Sequence, residues 1–258
     1  MSTEQFSVDG DVAIVTGASS GIGESIAKRF AADGVDVVIC SRERDNVDPV
    51  AEEINGSERS GRALPVECDV TDREAVDALV EATVEEFGGL DVLVNNAGAS
   101  FMATFDDISE NGWKTIVDIN VHGTYHCTQA AAERLKEDGG IVINLSSVAG
   151  QTGSPYMSHY GAAKAAVVNL TTTLSYEWAA DGVRINCIAP GFVATAGVES
   201  QMGVSADEVD RTEVERRMGT VEEIADLAQF LASPASSYVV GETITAQGLP
   251  RIEESPEV

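Results

Sequence analysis

The stretch VAIVTGASSGIGESIAKRFAA, Val12 to Ala32, decides how the whole chain is read. Val12 to Thr16 is a short apolar run of strand character, and from Glu24 to Ala32 the residues Ile26, Ala27 and Phe30 recur at helical spacing. Gly17, Gly21 and Gly23 stand between the two segments. A strand that passes through a glycine turn into a helix opens a βαβ unit. The glycines permit a tight turn and close backbone approach. The first N–H groups of the helix then face whatever sits over the turn, which suits the negative charge of a diphosphate. The same glycine spacing occurs in ordinary turns; its place between the first strand and the first helix is what gives it weight.

Outward from this unit, strands and helices alternate. Val35 to Cys40, Ala63 to Glu67, Asp91 to Val94, Gly140 to Ser146, Val183 to Ala189 and Glu242 to Ala246 read as further strands. Between them lie a weak helix over residues 47–56, a helix capped by Thr71 or Asp72 and running through Phe87, a long helical pattern from Ser109 to Leu135, and helices over Met157 to Ala179 and Val221 to Leu231. The expected fold class is therefore α/β: a single Rossmann-type, doubly wound parallel sheet with right-handed crossovers and helices on both faces, with residues 1–258 forming one domain. Residues 192–219 are too long for a plain connection and read as a substrate loop, carrying the apolar Phe192, Val198, Met202 and Val204. Residues 249–258 form an acidic tail. Asn120 and Gly123 interrupt the long helical pattern; an amide there is either a buried hydrogen-bonding residue or a local break that frees a carbonyl.

Chemistry-bearing residues fall where strands end. Ser147 follows the fifth strand, and Tyr160 and Lys164 lie four apart in the first turns of the next helix, on one face. An ammonium beside a phenol favours phenolate, and bringing a tyrosine from pKa ~10 to about 7 needs roughly 4 kcal/mol. Such a tyrosine can pass a proton to a carbonyl oxygen, which the Ser147 hydroxyl can hold. An exposed pair at this spacing often does nothing, so the weight comes from the topology around it. At the end of the second strand, where an acid would bond the 2′-hydroxyl of NAD, stand Ser41 and Arg42. They suit a 2′-phosphate, so NADP(H) is expected over NAD(H), unless Arg42 and Arg44 only pair with Glu43, Asp45 and Asp48. Asp69 ends the third strand and either reaches an adenine or closes a turn. His122, His126 and His159 form no ligand set with the cysteines, so no metal is expected.

The chain carries 43 acidic and 16 basic residues, a formal charge of −27 spread along its length. That charge repels itself at low ionic strength and is screened to about 3 Å in molar salt, so the surface resembles that of halophile proteins. Neither nucleic acid nor an anionic membrane is an expected partner; a small-molecule carbonyl or alcohol is. The polar start lacks a basic and apolar leader, no run of eighteen apolar residues occurs, and Cys40, Cys68, Cys127 and Cys187 are far apart. A cytoplasmic, disulfide-free protein is expected.

Taken together, TGASSGIG at 16–23, CDV at 68–70, NNAG at 95–98, Ser147, YGAAK at 160–164, RINCIAPG at 184–191 and YVVG at 238–241 resemble a short-chain dehydrogenase/reductase of the common subgroup, nearest in look to 3-oxoacyl reductases. The likeness extends over residues 8–248. It implies a tetrad of Asn120, Ser147, Tyr160 and Lys164: Tyr160 as general acid, Ser147 orienting the carbonyl, Lys164 lowering the tyrosine pKa and holding the nicotinamide ribose, and Asn120 at a helix kink binding a relay water. For the cofactor it implies the turn residues Gly17, Ser19, Ser20, Gly21, Ile22 and Gly23, then Ser41 and Arg42 at the 2′-phosphate. Asp69 and Val70 would surround the adenine. Asn96, followed by Ala97 and Gly98, would lie by the adenine ribose, and Pro190, Gly191, Val193 and Thr195 by the carboxamide. A homotetramer or homodimer through helices at 110–136 and 156–180 is implied as well. Two departures stand out: Ser20 where many NADP-dependent members carry a basic residue, and Ala246 to Pro250 in place of an acid and two glycines. The expected reaction is NADPH-dependent reduction of a 3-oxoacyl thioester, carrier-protein or CoA linked, or of a related ketone. Dehydrogenation of a sugar, polyol or secondary alcohol is the alternative. A non-catalytic cofactor-binding regulator is more remote, since Tyr160 and Lys164 are both present.

Overall fold

A computed structural model describes residues 3–57, 61–198, 209–214 and 217–249. Seven strands, β1 (Val12–Thr16), β2 (Asp36–Ser41), β3 (Ala63–Glu67), β4 (Val92–Asn95), β5 (Ile141–Leu145), β6 (Arg184–Pro190) and β7 (Thr243–Ala246), form one sheet in the order β3-β2-β1-β4-β5-β6-β7. Every pairing is parallel. The expected single doubly wound sheet is thus the observed one. From β1 the chain winds outward to β3, then returns to lay β4 on the other side of β1. The connections diverge there, and the crevice beyond the carboxyl ends of β1 and β4 is where such a sheet opens for a ligand.

Why both faces are covered follows from strand alternation. In β1, Ala13 and Val15 face a core built with Ile26 and Phe30 of α1 (Gly21–Ala32) and Ile224 and Leu231 of α7 (Val221–Leu231). Ile14 faces the opposite core, with Val76 and Leu79 of α3 (Arg73–Phe87) and Cys127 and Leu135 of α5 (Gly123–Glu137). The weak helix expected over residues 47–56 is α2 (Asp48–Asn55). Asp72, rather than Thr71, caps α3, accepting from the N–H groups of Glu74 and Ala75. All four cysteines are buried, free thiols. No described helix is long and apolar enough to cross a membrane.

The long helix expected over Ser109 to Leu135 is divided. Its first part is α4 (Glu110–Val117), its last α5, and between them Asp118–His122 winds as a π turn. A wider turn of this kind is a frequent mark of a functional site. α6 (Ser158–Glu177) follows β5.

The neck of the 192–219 loop is held by backbone pairing of Val193 with Gly219. Ala194 N–H donates to Gly219 O at 2.8 Å and Gly219 N–H to Phe192 O at 2.9 Å. Met202, Val204 and Arg216 of this loop, and the tail beyond Leu249, lie outside the described residues. At the loop's exit, Arg217 forks onto Glu223 (Nη1–Oε2 2.9 Å, Nη2–Oε1 2.6 Å), which also completes a capping box with Thr220 at the start of α7. Arg217 in the first place, with the Thr220 N–H, holds the Glu223 carboxyl down to about 2. A depressed carboxyl stabilises the fold above its unfolded pKa of about 4.3, and that contribution is lost as pH falls through about 2. Glu223→Gln should therefore lower the thermal midpoint at neutral pH by roughly 2–4 °C for a loss of about 1 kcal/mol. The difference from wild type should narrow as the scan is repeated at falling pH; a constant gap would contradict the ion pair as its source.

Candidate active site

Over the carboxyl ends of β1 and β4 lies a cleft of about 500 Å³, within the range of about 300–1,000 Å³ usual for ligand sites. Of the residues expected to hold the cofactor, Gly17, Ser19, Ser20, Gly21, Ile22, Ser41, Arg42, Asp69, Val70, Asn96, Ala97, Gly98 and Thr195 line it. Glu43, Asn46, Cys68, Ala99, Ile119, Ala196 and Gly197 complete the wall. Gly23, Gly191, Pro190 and Val193, and with them Tyr160 and Lys164, are not in the wall. Gly23 lies beneath the turn, where a Cβ would come within 2.5 Å of Gly17 O. Pro190 is within β6, and Val193 is buried at the loop neck.

The glycine turn suits a dinucleotide's diphosphate because bare backbone is pressed into it. Gly17 sits at φ +63°, and a Cβ there would lie 2.8 Å from Ala97 Cα. Asn96 fastens the arrangement: its Nδ2 donates to Thr16 O and Gly17 O, both at 2.9 Å. The Thr16 hydroxyl in turn accepts from the N–H groups of Asn96 and Ala97 at 3.0 Å each. The amide of Asn96 is thus engaged by the protein's own turn while the residue lines the cleft. Asp69 also serves two ends. Its Oδ1 accepts from Thr71 N–H at 2.9 Å and Thr71 Oγ1 at 2.7 Å, closing a turn, and the residue borders the cleft.

The charges after β2 separate the two sequence readings of Arg42. Arg44 pairs with Asp48 (3.2 Å), and Glu43 accepts from Asn46 Nδ2 (3.1 Å). Arg42 is exposed at the cleft and has no ion-pair partner among the described residues. The Ser41 hydroxyl donates to Glu43 O at 2.5 Å, shaping this corner.

Asn120, Ser147, Tyr160 and Lys164 gather next to the cleft. Ser147 leaves β5 extended, and its Oγ accepts from Ala149 N–H at 3.2 Å as residues Val148–Gly150 turn. That turn docks on α6 with almost no space between. A Cβ on Gly150 would lie 2.6 Å from Lys164 C, and one on Gly161 would lie 2.8 Å from Ala149 O. This close approach brings the Ser147 hydroxyl up to the Tyr160 phenol. Lys164 is buried; its Nζ donates to Leu145 O at 2.8 Å and lies 5.7 Å from the Tyr160 ring centroid, while Ser146 Oγ donates to Lys164 O at 2.8 Å. Asn120 is fully buried in the π turn and donates to Ala99 O and Ile116 O, both at 2.9 Å. Both sequence readings of Asn120 are therefore realised, the hydrogen-bonding residue and the helix break. Its Oδ1 is buried with no protein partner. A Cβ on Gly98 would lie 2.8 Å from that oxygen and 3.3 Å from Lys164 Nζ, so both polar atoms flank Gly98 at the cleft wall.

Electrostatics differ from the sequence expectation. Burial raises the Tyr160 phenol above its ordinary value, opposed only by the neighbouring Ser147 hydroxyl, and burial lowers Lys164 to about 8. The lysine turns its charge to Leu145 O instead of depressing the phenol. Tyr160 therefore holds its proton at neutral pH. Sequence reasoning passed over Gly150 and Gly161, whose only signal is a small residue soon after the serine and another beside the tyrosine. It also passed over Thr16, the anchor of Asn96. His126 bonds Val70 O at 3.0 Å and His122 faces Asp118, both in structural settings.

The sequence profile described as Enoyl-(Acyl carrier protein) reductase matches residues 17–248. A 3-oxoacyl-[acyl-carrier-protein] reductase of Synechocystis sp. is 38% identical over 240 residues, 92% of this chain and 95% of the relative. The crystal structure of a short-chain type dehydrogenase/reductase from Mycobacterium marinum superposes with a TM-score of 0.86 at 36% identity, covering 95% of this chain and 97% of that one. A 7α-hydroxysteroid dehydrogenase complexed with NADH and 7-oxo glycochenodeoxycholic acid gives 0.86 at 30% identity, over 96% and 97% of the two chains. Sequence, sheet order and the cleft at the switch point agree, and the chain belongs to the short-chain dehydrogenase/reductase family, oxidoreductases that work between carbinols and carbonyls with a nicotinamide cofactor.

Proposed function

We propose that this protein reduces a ketone, a 3-oxoacyl thioester or a close relative, at the expense of NADPH. The observation that supports the reading is the gathering of Ser147, Tyr160, Lys164 and Asn120 beside the cleft, with Lys164 Nζ 5.7 Å from the Tyr160 ring centroid. Reduction needs an acid at that point, and a phenol that keeps its proton is one. When bound, the nicotinamide cofactor supplies the hydride. Tyr160 then delivers its phenolic proton to the carbonyl oxygen, and the Ser147 hydroxyl holds that oxygen as negative charge develops on it. Lys164 places an ammonium one turn from the phenol, at the cleft wall where a ribose would lie. The unpartnered Oδ1 of Asn120 accepts from a water that returns a proton toward Lys164 and Tyr160. Gly17 to Gly23 and the start of α1 cradle the diphosphate, and Ser41 and Arg42 take the 2′-phosphate.

Arg211 and Arg217, the cations that a carrier protein's acidic surface would seek, are engaged by Asp226 and Glu223. Together with the net charge of −27 this disfavours an acidic carrier protein as the bearer of the substrate. We also assign residues 192–219 to the substrate loop and expect a cytoplasmic, halophilic homotetramer or homodimer joined through the long helices α4–α5 and α6.

The test is a panel of acetoacetyl-CoA, simple ketones and sugars against NADPH and NADH in molar salt. NADPH with a ketone should give the highest kcat/KM. Arg42→Ala should raise the KM for NADPH about tenfold or more, as expected on losing a charge-assisted contact, with little effect on NADH. An unchanged cofactor preference would rule out Arg42 as the phosphate ligand.

A further inference from the structure

A line of buried side-chain hydrogen bonds runs beneath the site, from the π turn of Asn120 to the helix of Lys164. Asn95 ends β4 and Asn144 stands opposite it in β5. Each lies two residues on from an apolar residue, Leu93 and Val142, that faces the core beneath α5. Asn95 Nδ2 donates to Thr128 Oγ1 of α5 at 2.9 Å and to Asn144 Oδ1 at 2.8 Å, and Asn144 Nδ2 donates to Thr171 Oγ1 of α6 at 2.9 Å. On α5 the line continues back one turn at a time: Thr128 Oγ1 donates to Thr124 O at 2.7 Å, and Thr124 Oγ1 to Asn120 O at 3.0 Å. On α6, Thr171 Oγ1 donates to Val167 O at 2.9 Å. All of these side chains are buried.

Stability does not account for such a line. Asparagine is a poor strand former, and Asn95 Oδ1 is buried without a protein partner, a cost that apolar residues of the same shape would not carry. What hydrogen bonds supply and apolar contact does not is direction. The placement shows what is being directed. Thr171 lies seven residues after Lys164, two turns along the same face of α6. The residue after Asn144 is Leu145, whose carbonyl accepts from Lys164 Nζ at 2.8 Å, and Ser146 Oγ donates to Lys164 O at 2.8 Å. β5 thus grips α6 at two levels. The strand that delivers Ser147 cannot slide along the helix that carries Tyr160 and Lys164 without breaking one of them.

We propose that Asn144 and Thr171 are positioning residues, whose hydrogen bond holds α6 in register on β5 and so sets where Tyr160 and Lys164 stand relative to Ser147. This rests on the reading of those three residues as the ones that carry ketone reduction.

An isosteric pair tests it: Thr171→Val removes the hydroxyl and keeps the shape, whereas Thr171→Ser keeps the hydroxyl. Thr83 of α3 is the control, another buried threonine, whose Oγ1 donates to Leu79 O of its own helix at 2.8 Å. Rates are measured across pH with NADPH and either acetoacetyl-CoA or ethyl acetoacetate, beside circular dichroism and the thermal midpoint. Thr171→Val should lower kcat about tenfold, a fraction of the roughly 10²-fold that a displacement of about 1 Å costs. Thr171→Ser should stay near wild type, and Thr83→Val should lower the thermal midpoint while leaving kcat in place. The alkaline limb adds a readout that packing alone would not move. Lys164 is held to about 8 by burial, so an α6 loosened enough to admit water should carry that limb upward, toward the ordinary lysine range. A Thr171→Val kcat near wild type, an equal loss in Thr171→Ser, or an alkaline limb left in place overturns the proposal. Should Thr171→Val fail to fold, Asn144→Ala removes the same bond from its other end and is read by the same kcat and pH criteria. A wild type that reduces neither ketone overturns the reductase reading and this proposal with it; an active wild type with insensitive variants overturns this proposal alone.

Discussion

Tyr160→Phe should lower kcat for ketone reduction by roughly 10²- to 10⁴-fold, the usual span of a lost general acid, while NADPH still binds with near wild-type affinity. The change deletes one oxygen from a ring that is otherwise packed, so the fold should hold. What it removes is the phenol that stands next to Ser147 and one turn from Lys164. Cofactor fluorescence titration and steady-state rates separate the two effects; a variant with near-normal kcat would remove Tyr160 from the chemistry. The wild type should carry a matching pH signature. Lys164, lowered by burial to about 8, is charged below that pH and neutral above it. The phenol, raised by the same burial, stays protonated through neutrality. Reductive kcat/KM should therefore hold through neutral pH and fall on the alkaline side of about 8. A rate that climbs through that range would mean that a deprotonated group is required instead.

Gly150→Ala should reduce turnover by about 10²-fold, although residue 150 touches no reacting atom. The new Cβ would meet backbone on α6: Lys164 C at 2.6 Å and Ala165 N at 2.8 Å. Helical main chain cannot rotate aside as a side-chain tip can, so either the Val148–Gly150 turn or the first turns of α6 must shift. Either movement separates Ser147 from Tyr160, and a displacement on the order of 1 Å at reacting groups costs about 10²-fold. Overpacking of this kind also costs about 1–3 kcal/mol of stability. The check is kcat measured on protein whose circular dichroism and cofactor affinity match wild type. Turnover within a few-fold of normal would show that the contact does not set the Ser147–Tyr160 geometry. Gly161, against Ala149 O on the other side of the same junction, should respond in the same direction.

Why some of the site was legible and some was not follows from the range of the forces involved. The glycine turn, the i,i+4 pair Tyr160–Lys164 and the alternation of strand and helix are local patterns, written within a few residues. Asp69 and Asn120 were each legible only as a pair of readings, because deciding between them requires knowing what stands across the turn. Arg42 illustrates the same limit. Five acids and bases crowd residues 42–48, and only folding, by pairing Arg44 with Asp48 and Glu43 with Asn46, leaves Arg42 facing the cleft. The direction of the Tyr160 shift was misjudged for a related reason. Spacing on a helix states that an ammonium is near, but burial of the phenol and the bond from Lys164 to Leu145 O outweigh that proximity.

By itself, then, the sequence determined the α/β class and the parallel sheet and put Ser147 at a strand's carboxyl end with Tyr160 and Lys164 on one face of the next helix, since periodicity and turn chemistry are properties of neighbouring residues. Tertiary structure alone decided what those residues can do. It divided the long helix with a π turn that leaves Asn120 Oδ1 without a protein partner, spent the amide of Asn96 on the glycine turn, and pressed Gly150 against α6. It also held Tyr156 in a conformation its side chain disfavours. Each of these is a contact between segments far apart in the chain, and contact distance, burial and charge balance exist only after those segments meet.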